Sequence, residues 1–234
     1  MSPSTLYRAA PDGGSFAEFH AAAAHRSLTE IIPAAPADGA AAFGFALAWL
    51  KAGDAGGLVV ISSPQVVAAE LGAAYAPGLM QFGIDLGRLV WVRTRSQKDA
   101  LWCTEQALRT PHATAFCVVT PTAKPLSLVA TRRLLLAGET HATRCVLLRL
   151  DQAGASAAWT RLSVAAAPSQ GAGRELGAPR FAVRLTRNRA GPTGQSWLLE
   201  WNAYALRIAE RALDGAVAGA TADRSADPRQ RRAV

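Results

Sequence analysis

Apolar and polar positions along this chain switch repeatedly between two periods. The runs 58–61 and 115–119 are wholly apolar, as expected of strands covered on both faces, and 28–32, 89–92 and 144–149 are further strand candidates. Between them, apolar residues recur at helical spacing over 41–52 (Phe43, Leu47, Leu50), 66–75, 98–109 (Leu101, Trp102, Leu108) and 126–138. Gly56-Gly57 and Pro77-Gly78 punctuate these segments. Strands alternating with helices of this length predict a mostly parallel sheet wrapped by helices.

The pattern changes after Asp151. Segments 160–166, 180–187 and 196–201 read as strands with no helix between them. Phe181, Val183 and Leu185 alternate with Ala182, Arg184 and Thr186, and Trp197, Leu199 and Trp201 share one face. The last two strands are joined by a Gly/Pro-rich turn, 188–195. The predicted fold class is therefore α/β, with a mostly parallel central sheet flanked by helices and antiparallel strands added at its C-terminal edge. The Pro/Ser/Gly stretch 168–179 is predicted to be a mobile loop. Asn202 is predicted to cap a last helix over 203–213. Beyond Gly215 the chain turns small and polar, which predicts disorder. Three parts follow: an N-terminal arm or short helix at 1–26, a core at 27–202, and a C-terminal helix with a basic tail at 203–234.

Composition narrows the chemistry. Half of the 234 residues are hydrophobic, enough for a full core. No apolar run approaches the roughly 18 residues of a membrane span. Met1 to Ala10 carries one basic residue and no apolar stretch, so no secretory leader is expected and the cytoplasm is the expected location. Net charge is +8, and all but Lys51, Lys98 and Lys124 of the 25 basic residues are arginine. Arginine forks suit phosphate and carboxylate alike, so the charge permits a nucleic-acid partner without requiring one. Cys103, Cys117 and Cys145 form no CxxC pair and predict buried, reduced thiols rather than zinc ligands or disulfides. His20, His25, His112 and His141 show no ligand spacing, and His20 and His25 are expected at the surface. No Gly-x-Ser-x-Gly elbow and no carboxylate pair suited to acid–base work is present. Six tryptophans could stack on bases, but the spacing of Trp49, Trp102, Trp197 and Trp201 fits core packing for most of them.

Four segments together resemble the RecA family. They are Glu30-Ile31-Ile32 followed by a small-residue loop and a helix, Gly83 to Leu89, Lys98-Asp99-Ala100-Leu101 opening a helix, and 180–201 with Arg187-Asn188-Arg189 between strands. More narrowly, 27–202 resembles the ImuA family, the RecA-like accessory proteins of bacterial mutagenesis cassettes. The residues that carry this are Arg93 to Arg109, Arg132-Arg133-Leu134-Leu135-Leu136-Ala137, Ala158-Trp159-Thr160-Arg161, Gly177-Ala178-Pro179-Arg180-Phe181 and Ser196 to Trp201. The resemblance implies a RecA-like fold.

It also places residues 34–41 where RecA proteins bind phosphate. Such a loop needs glycines for close approach, a lysine for the β/γ-phosphates and a Ser/Thr for magnesium. Here Gly39 stands at the second glycine position, with Ala40 and Ala41 at the lysine and Ser/Thr positions. Pro36 removes a backbone donor and Asp38 adds negative charge. No lysine precedes Lys51, so a register shift supplies none. Ser62-Ser63-Pro64 replaces the water-orienting glutamate, and Val118-Val119-Thr120-Pro121 lacks the magnesium-orienting acid. The expectation is a protein that is not an enzyme, with no cofactor and no tight ATP binding.

The same resemblance implies partners. These are ImuB (an inactive Y-family polymerase-like protein), RecA and, through ImuB, an error-prone C-family DNA polymerase, with any DNA contact indirect. Arg187 and Arg189 match RecA residues that reach a neighbour's nucleotide, which implies a partner-facing surface; two solvated arginines at a hairpin end are the alternative. The tail residues Arg229, Arg231 and Arg232 suit DNA phosphates, an acidic groove on a partner, or solubility. The expected function is a non-catalytic adaptor in damage-induced translesion synthesis, cytoplasmic and at the nucleoid when engaged. The alternatives are a SulA-like division inhibitor, a divergent RecA-family ATPase and a plain DNA-binding module.

Overall fold

A computed structural model describes residues 15–23, 27–52, 57–121, 125–151, 154–171, 177–203 and 207–211. Among these, nine strands form one sheet: β1 Leu28–Pro33, β2 Leu58–Pro64, β3 Leu89–Thr94, β4 Ala113–Val119, β5 Arg144–Arg149, β6 Thr160–Ala167, β7 Arg180–Asn188, β8 Ser196–Asn202 and β9 Arg207–Arg211. Their order is β3-β2-β4-β5-β1-β6-β7-β8-β9. The first six positions pair in parallel, and β6 onward pairs antiparallel. The fold is thus α/β, mostly parallel, with antiparallel strands at the C-terminal edge, as the sequence pattern predicts. None of the described helices is long and apolar enough to cross a membrane.

Among the described residues there are six α-helices, α1 Phe16–Ala23, α2 Gly39–Ala52, α3 Val67–Leu71, α4 Ala76–Gln81, α5 Gln97–Leu108 and α6 Leu128–His141, of which α2, α5 and α6 pack on the sheet. Every residue of β4 is buried, because helices lie on both faces of the sheet there. On one face, α2 packs over β1, β5, β6 and β9. Its apolar side chains join Ile31, Phe116, Leu162 and Trp201 in one core. On the other face, α5 and α6 bury Ala100, Leu108, Leu134 and Leu135 against Leu28, Ala115 and Leu147. Both helices begin on serine caps. The Ser96 hydroxyl accepts from Asp99 N at 3.2 Å and the Ser127 hydroxyl from Ala130 N at 3.2 Å.

Two elements differ from the sequence pattern. The helix expected over 66–75 is shortened to α3, and a further helix, α4, begins at Ala76 and runs through the Pro77-Gly78 read as punctuation. Gly72 takes a positive φ of 82° and ends α3, and Pro77 lies in the first turn of α4, where its missing N–H is not needed. The helix expected over 203–213 is replaced by β9, paired with β8 from Leu198↔Arg211 to Asn202↔Arg207. The open edge of β8 offers a ladder that outweighs the helical preference of Arg-Ile-Ala-Glu-Arg. The rest of that segment, and the tail predicted to be disordered, lie outside the described residues, as does part of the loop 168–179.

β9 also redraws the boundaries at 26 and 202. The Glu210 carboxylate accepts from Phe16 N at 2.9 Å, so the last strand supplies an acceptor to the first turn of α1. Phe16 is buried against Trp49 and Trp197, with ring centroids at 6.2 and 5.4 Å. Residues 16–23 and 207–211 therefore belong to the core. His20, expected at the surface, sits edge-on to Trp49 at 4.6 Å within this aromatic cluster. His25 lies outside the described residues. The three cysteines are free, with Cys117 and Cys145 buried; burial pushes the Cys117 thiol up to about 12.

The tryptophans divide between core and surface. Trp201 is buried, and its indole N–H donates to the Gln81 carbonyl at 2.8 Å, fastening the end of α4. Trp102, placed on a helical face by its spacing, is exposed on α5 and is not one of the tryptophans that pack in the core. Trp201→Ala is expected to lower stability by about 3–5 kcal/mol in urea unfolding. Trp102→Ala should stay within about 0.5 kcal/mol of the parent.

Candidate functional site

The loop between β1 and α2 is closed by the chain's own groups. The Ala34 N–H donates to the Val164 carbonyl at 2.7 Å, docking the loop on β6. A short 3₁₀ turn at Pro36–Asp38 then leads into α2. The two oxygens of the Asp38 carboxylate are both engaged, one accepting from Ala35 N at 3.0 Å and the other from Ala166 N at 2.9 Å. This negative charge stands at the positive end of α2, where a phosphate-binding loop would receive its ligand.

Gly39 opens α2 in ordinary helical geometry, so its φ does not demand glycine. A Cβ built there would meet the Cδ2 end of Leu71 at 2.8 Å, which would have to turn aside, and Leu150 Cδ2 at 3.8 Å. Apolar side chains therefore fill the space over the helix terminus. An adjoining groove of about 440 Å³, between α2 and the α3–α4 segment, is lined by Ala40, Phe43, Leu71 and Trp91 among others, and by no charged side chain among the described residues.

At the other two positions matched to nucleotide chemistry, Ser63 and Thr120 are engaged internally, while the buried Ser62 hydroxyl has no hydrogen-bond partner among the described residues. Ser62 and Ser63 are buried in β2, and the Ser63 hydroxyl accepts from the Trp91 indole at 3.0 Å. Thr120 donates through its backbone N–H to Gln97 Oε1 at 2.9 Å, which ties the end of β4 to α5.

A second polar centre lies within the sheet. Arg149 on β5 and Glu30 on β1 are wholly buried. Arg149 reaches Glu30 Oε1 at 3.0 Å and grips Asp151 with two bonds at 2.6 and 2.8 Å. The other Glu30 oxygen accepts from Arg161 Nε on β6 at 2.7 Å. Burial opposes the charge on Arg149, but the hydrogen bonds and charge of Asp151, then Glu30, outweigh it and hold its pKa above the usual arginine value.

This network leads outward to the sequence-predicted arginines. A bulge in β7 sets Arg187 opposite Arg161. Burial, followed by repulsion from Arg189 and Arg161, lowers the Arg187 pKa, against the pull of Glu30. The Arg189 guanidinium lies 5.6 Å from the centre of the Trp159 ring, and Arg189 N donates to the Trp159 carbonyl at 3.0 Å. Asn188 folds the turn between them, accepting from Ala190 N at 3.0 Å. The structure thus brings Arg187 and Arg189 together and adds Arg161 and Trp159, whose place beside them depends on the β6–β7 register. Arg229, Arg231 and Arg232 lie outside the described residues. Among the described residues no cluster of His, Cys, Asp and Glu is arranged to hold a metal.

A six-strand parallel run with an antiparallel extension, flanked by helices, defines an α/β domain with a mixed, mostly parallel sheet. No family model matches the chain. It is 32% identical over 168 residues to Protein ImuA of Caulobacter vibrioides, in strains NA1000/CB15N and ATCC 19089/CB 15, covering 64% of this chain and 67% of each relative. The chain belongs to the ImuA family. Among solved structures, SulA from Pseudomonas aeruginosa superposes with a TM-score of 0.39 and 20% identity, over 52% of this chain and 96% of that one.

The two kinds of arginine should separate in unfolding experiments. Arg149→Ala leaves Glu30 and Asp151 buried without their cation and is expected to cost about 3–5 kcal/mol in urea unfolding. Arg187 has a lowered pKa, so folding disfavours its charge. Arg187→Ala should leave the urea midpoint unchanged or raise it.

Proposed function

We propose that this protein is a non-catalytic adaptor in damage-induced translesion DNA synthesis. It docks RecA and ImuB and, through ImuB, brings an error-prone C-family polymerase to the lesion. The observation that carries this reading is the closed β1–α2 loop. Asp38 holds the backbone N–H groups of Ala35 and Ala166, and Leu71 lies over Gly39. A domain built this way has a stable resting state without a bound nucleotide, which suits a constitutive docking module. Membership of the ImuA family supports a role in mutagenesis.

The partner-binding surface in this reading is the Arg187–Arg189 end of β7, with Arg161 behind it and the tail residues Arg229, Arg231 and Arg232 adding charge. Arg187 lies close to two other guanidinium groups. A carboxylate or phosphate from a partner would relieve that repulsion, which Glu30 offsets only in part.

The test is retention of the purified protein on RecA filaments formed on single-stranded DNA and on immobilised ImuB. The parent is compared with Arg187→Glu/Arg189→Glu and with a chain ending at residue 211, which keeps β9 in the sheet. The parent should bind at least one partner, with the charge reversal weakening it by about tenfold or more. Failure of the parent to bind either partner would sink the adaptor reading. Equal retention of parent and both variants would remove the arginines from it.

A further inference from the structure

The outer face of α5 and α6 carries apolar side chains that the fold leaves in solvent. Trp102 is 60% exposed, Val129 69% and Leu136 50%. All three flank one ion bridge between the helices. The Glu105 carboxylate accepts from Arg109 on one oxygen, at 3.0 Å, and from Arg133 on the other. Trp102 lies one turn before Glu105 on α5. Val129 and Leu136 lie one turn before and after Arg133 on α6. Val129, Arg132 and Leu136 follow i, i+3, i+7 spacing, so they share a stripe of the helix. Lys98 and Arg132, both exposed, frame the apolar positions; the neighbouring carboxylates Asp99 and Glu139 accept from Ser96 and Trp159.

We infer that this face is a docking surface for an acidic amphipathic helix of a protein partner. Single exposed apolar residues are ordinary, but a tryptophan and two aliphatic side chains gathered around one bridge are of the kind that anchors interfaces. The 14-residue α6 is about 21 Å long and so matches a partner helix of three to four turns. Such a helix would lay leucine-like side chains on Trp102, Val129 and Leu136 and present carboxylates to Lys98 and Arg132.

Charge decides among the occupants. A second copy of this chain docking by the same face would set Lys98 and Arg132 against like charge. A nucleic-acid strand needs a track of cations and rings, yet Arg109 and Arg133 are committed to Glu105 and Trp102 is the one ring among the three apolar positions, so a strand is kept as an outcome of the test. A lipid surface takes apolar side chains and cations alike, and it is kept as an outcome of the test. The inference does not depend on the role proposed for Arg187 and Arg189.

The test is fluorescence anisotropy with the full chain and a labelled helical peptide of about 18 residues, long enough to fold on contact. The peptide carries leucines at i, i+3, i+4 and i+7 and glutamates elsewhere; a sister peptide carries lysines in place of glutamates. Phosphatidylglycerol vesicles and an oligo-dT strand are titrated in parallel. The acidic peptide should bind saturably and the basic one should not. Trp102→Ala/Val129→Ser should weaken the acidic peptide by about tenfold. Arg132→Glu should weaken it by about threefold. Both variants change only exposed side chains, and their melting temperatures should match the parent. The inference is overturned if the acidic peptide fails to bind, or binds parent and variants alike. It is also overturned if the substitutions abolish vesicle or oligo-dT binding while leaving the peptide unaffected.

Discussion

A buried arginine at the end of β5 is the constraint around which the centre of this sheet is organised. Arg149 has no access to water, and an uncompensated guanidinium there would cost more than most domains have to spare. Asp151 and Glu30 meet that demand from two directions. Glu30 divides its oxygens between Arg149 and Arg161, so one carboxylate joins β5, β1 and β6. These strands form the seam where the parallel half of the sheet meets the antiparallel half. The network therefore fixes both the register of the seam and the place where Arg161, Arg187 and Arg189 come together.

The same device recurs one loop away. Asp38 gives the β1–α2 loop an internal anion, and its second oxygen fastens that loop to β6. In both places a carboxylate of the chain occupies a position that would otherwise favour an external negative group. Leu71 over Gly39 and the uncharged groove beside it extend the same theme. The loop satisfies its own polar groups, while Arg187 and Arg189 gather positive charge at the end of β7.

Much of this was legible in the chain. The apolar runs of β2 and β4 and the helical periodicity of α5 announced the parallel half, because burial on both faces leaves a continuous apolar signature. Alternation in β7 and β8 announced the antiparallel half. The missing lysine and the presence of Asp38 were visible by inspection, but the two bonds Asp38 makes were not, since Ala166 lies far along the chain. β9 was hidden because Arg207 to Arg211 favours a helix locally and becomes a strand only when β8 offers an edge. Glu30 and Arg149 each looked like polar residues within apolar strands, and only the parallel pairing of β1 with β5 brings them together. The exposure of Trp102 was not legible, since helical spacing alone does not tell which face of α5 the sheet covers.

The most direct measurement is a titration of the full chain with a fluorescent ATP analogue, with and without magnesium, followed by emission and anisotropy. A loop closed by Asp38 and Leu71 should give no saturable change at micromolar concentrations, and magnesium should make no difference. Saturable micromolar binding that requires magnesium would show that the loop opens to nucleotide, and would contradict a domain that works by docking alone.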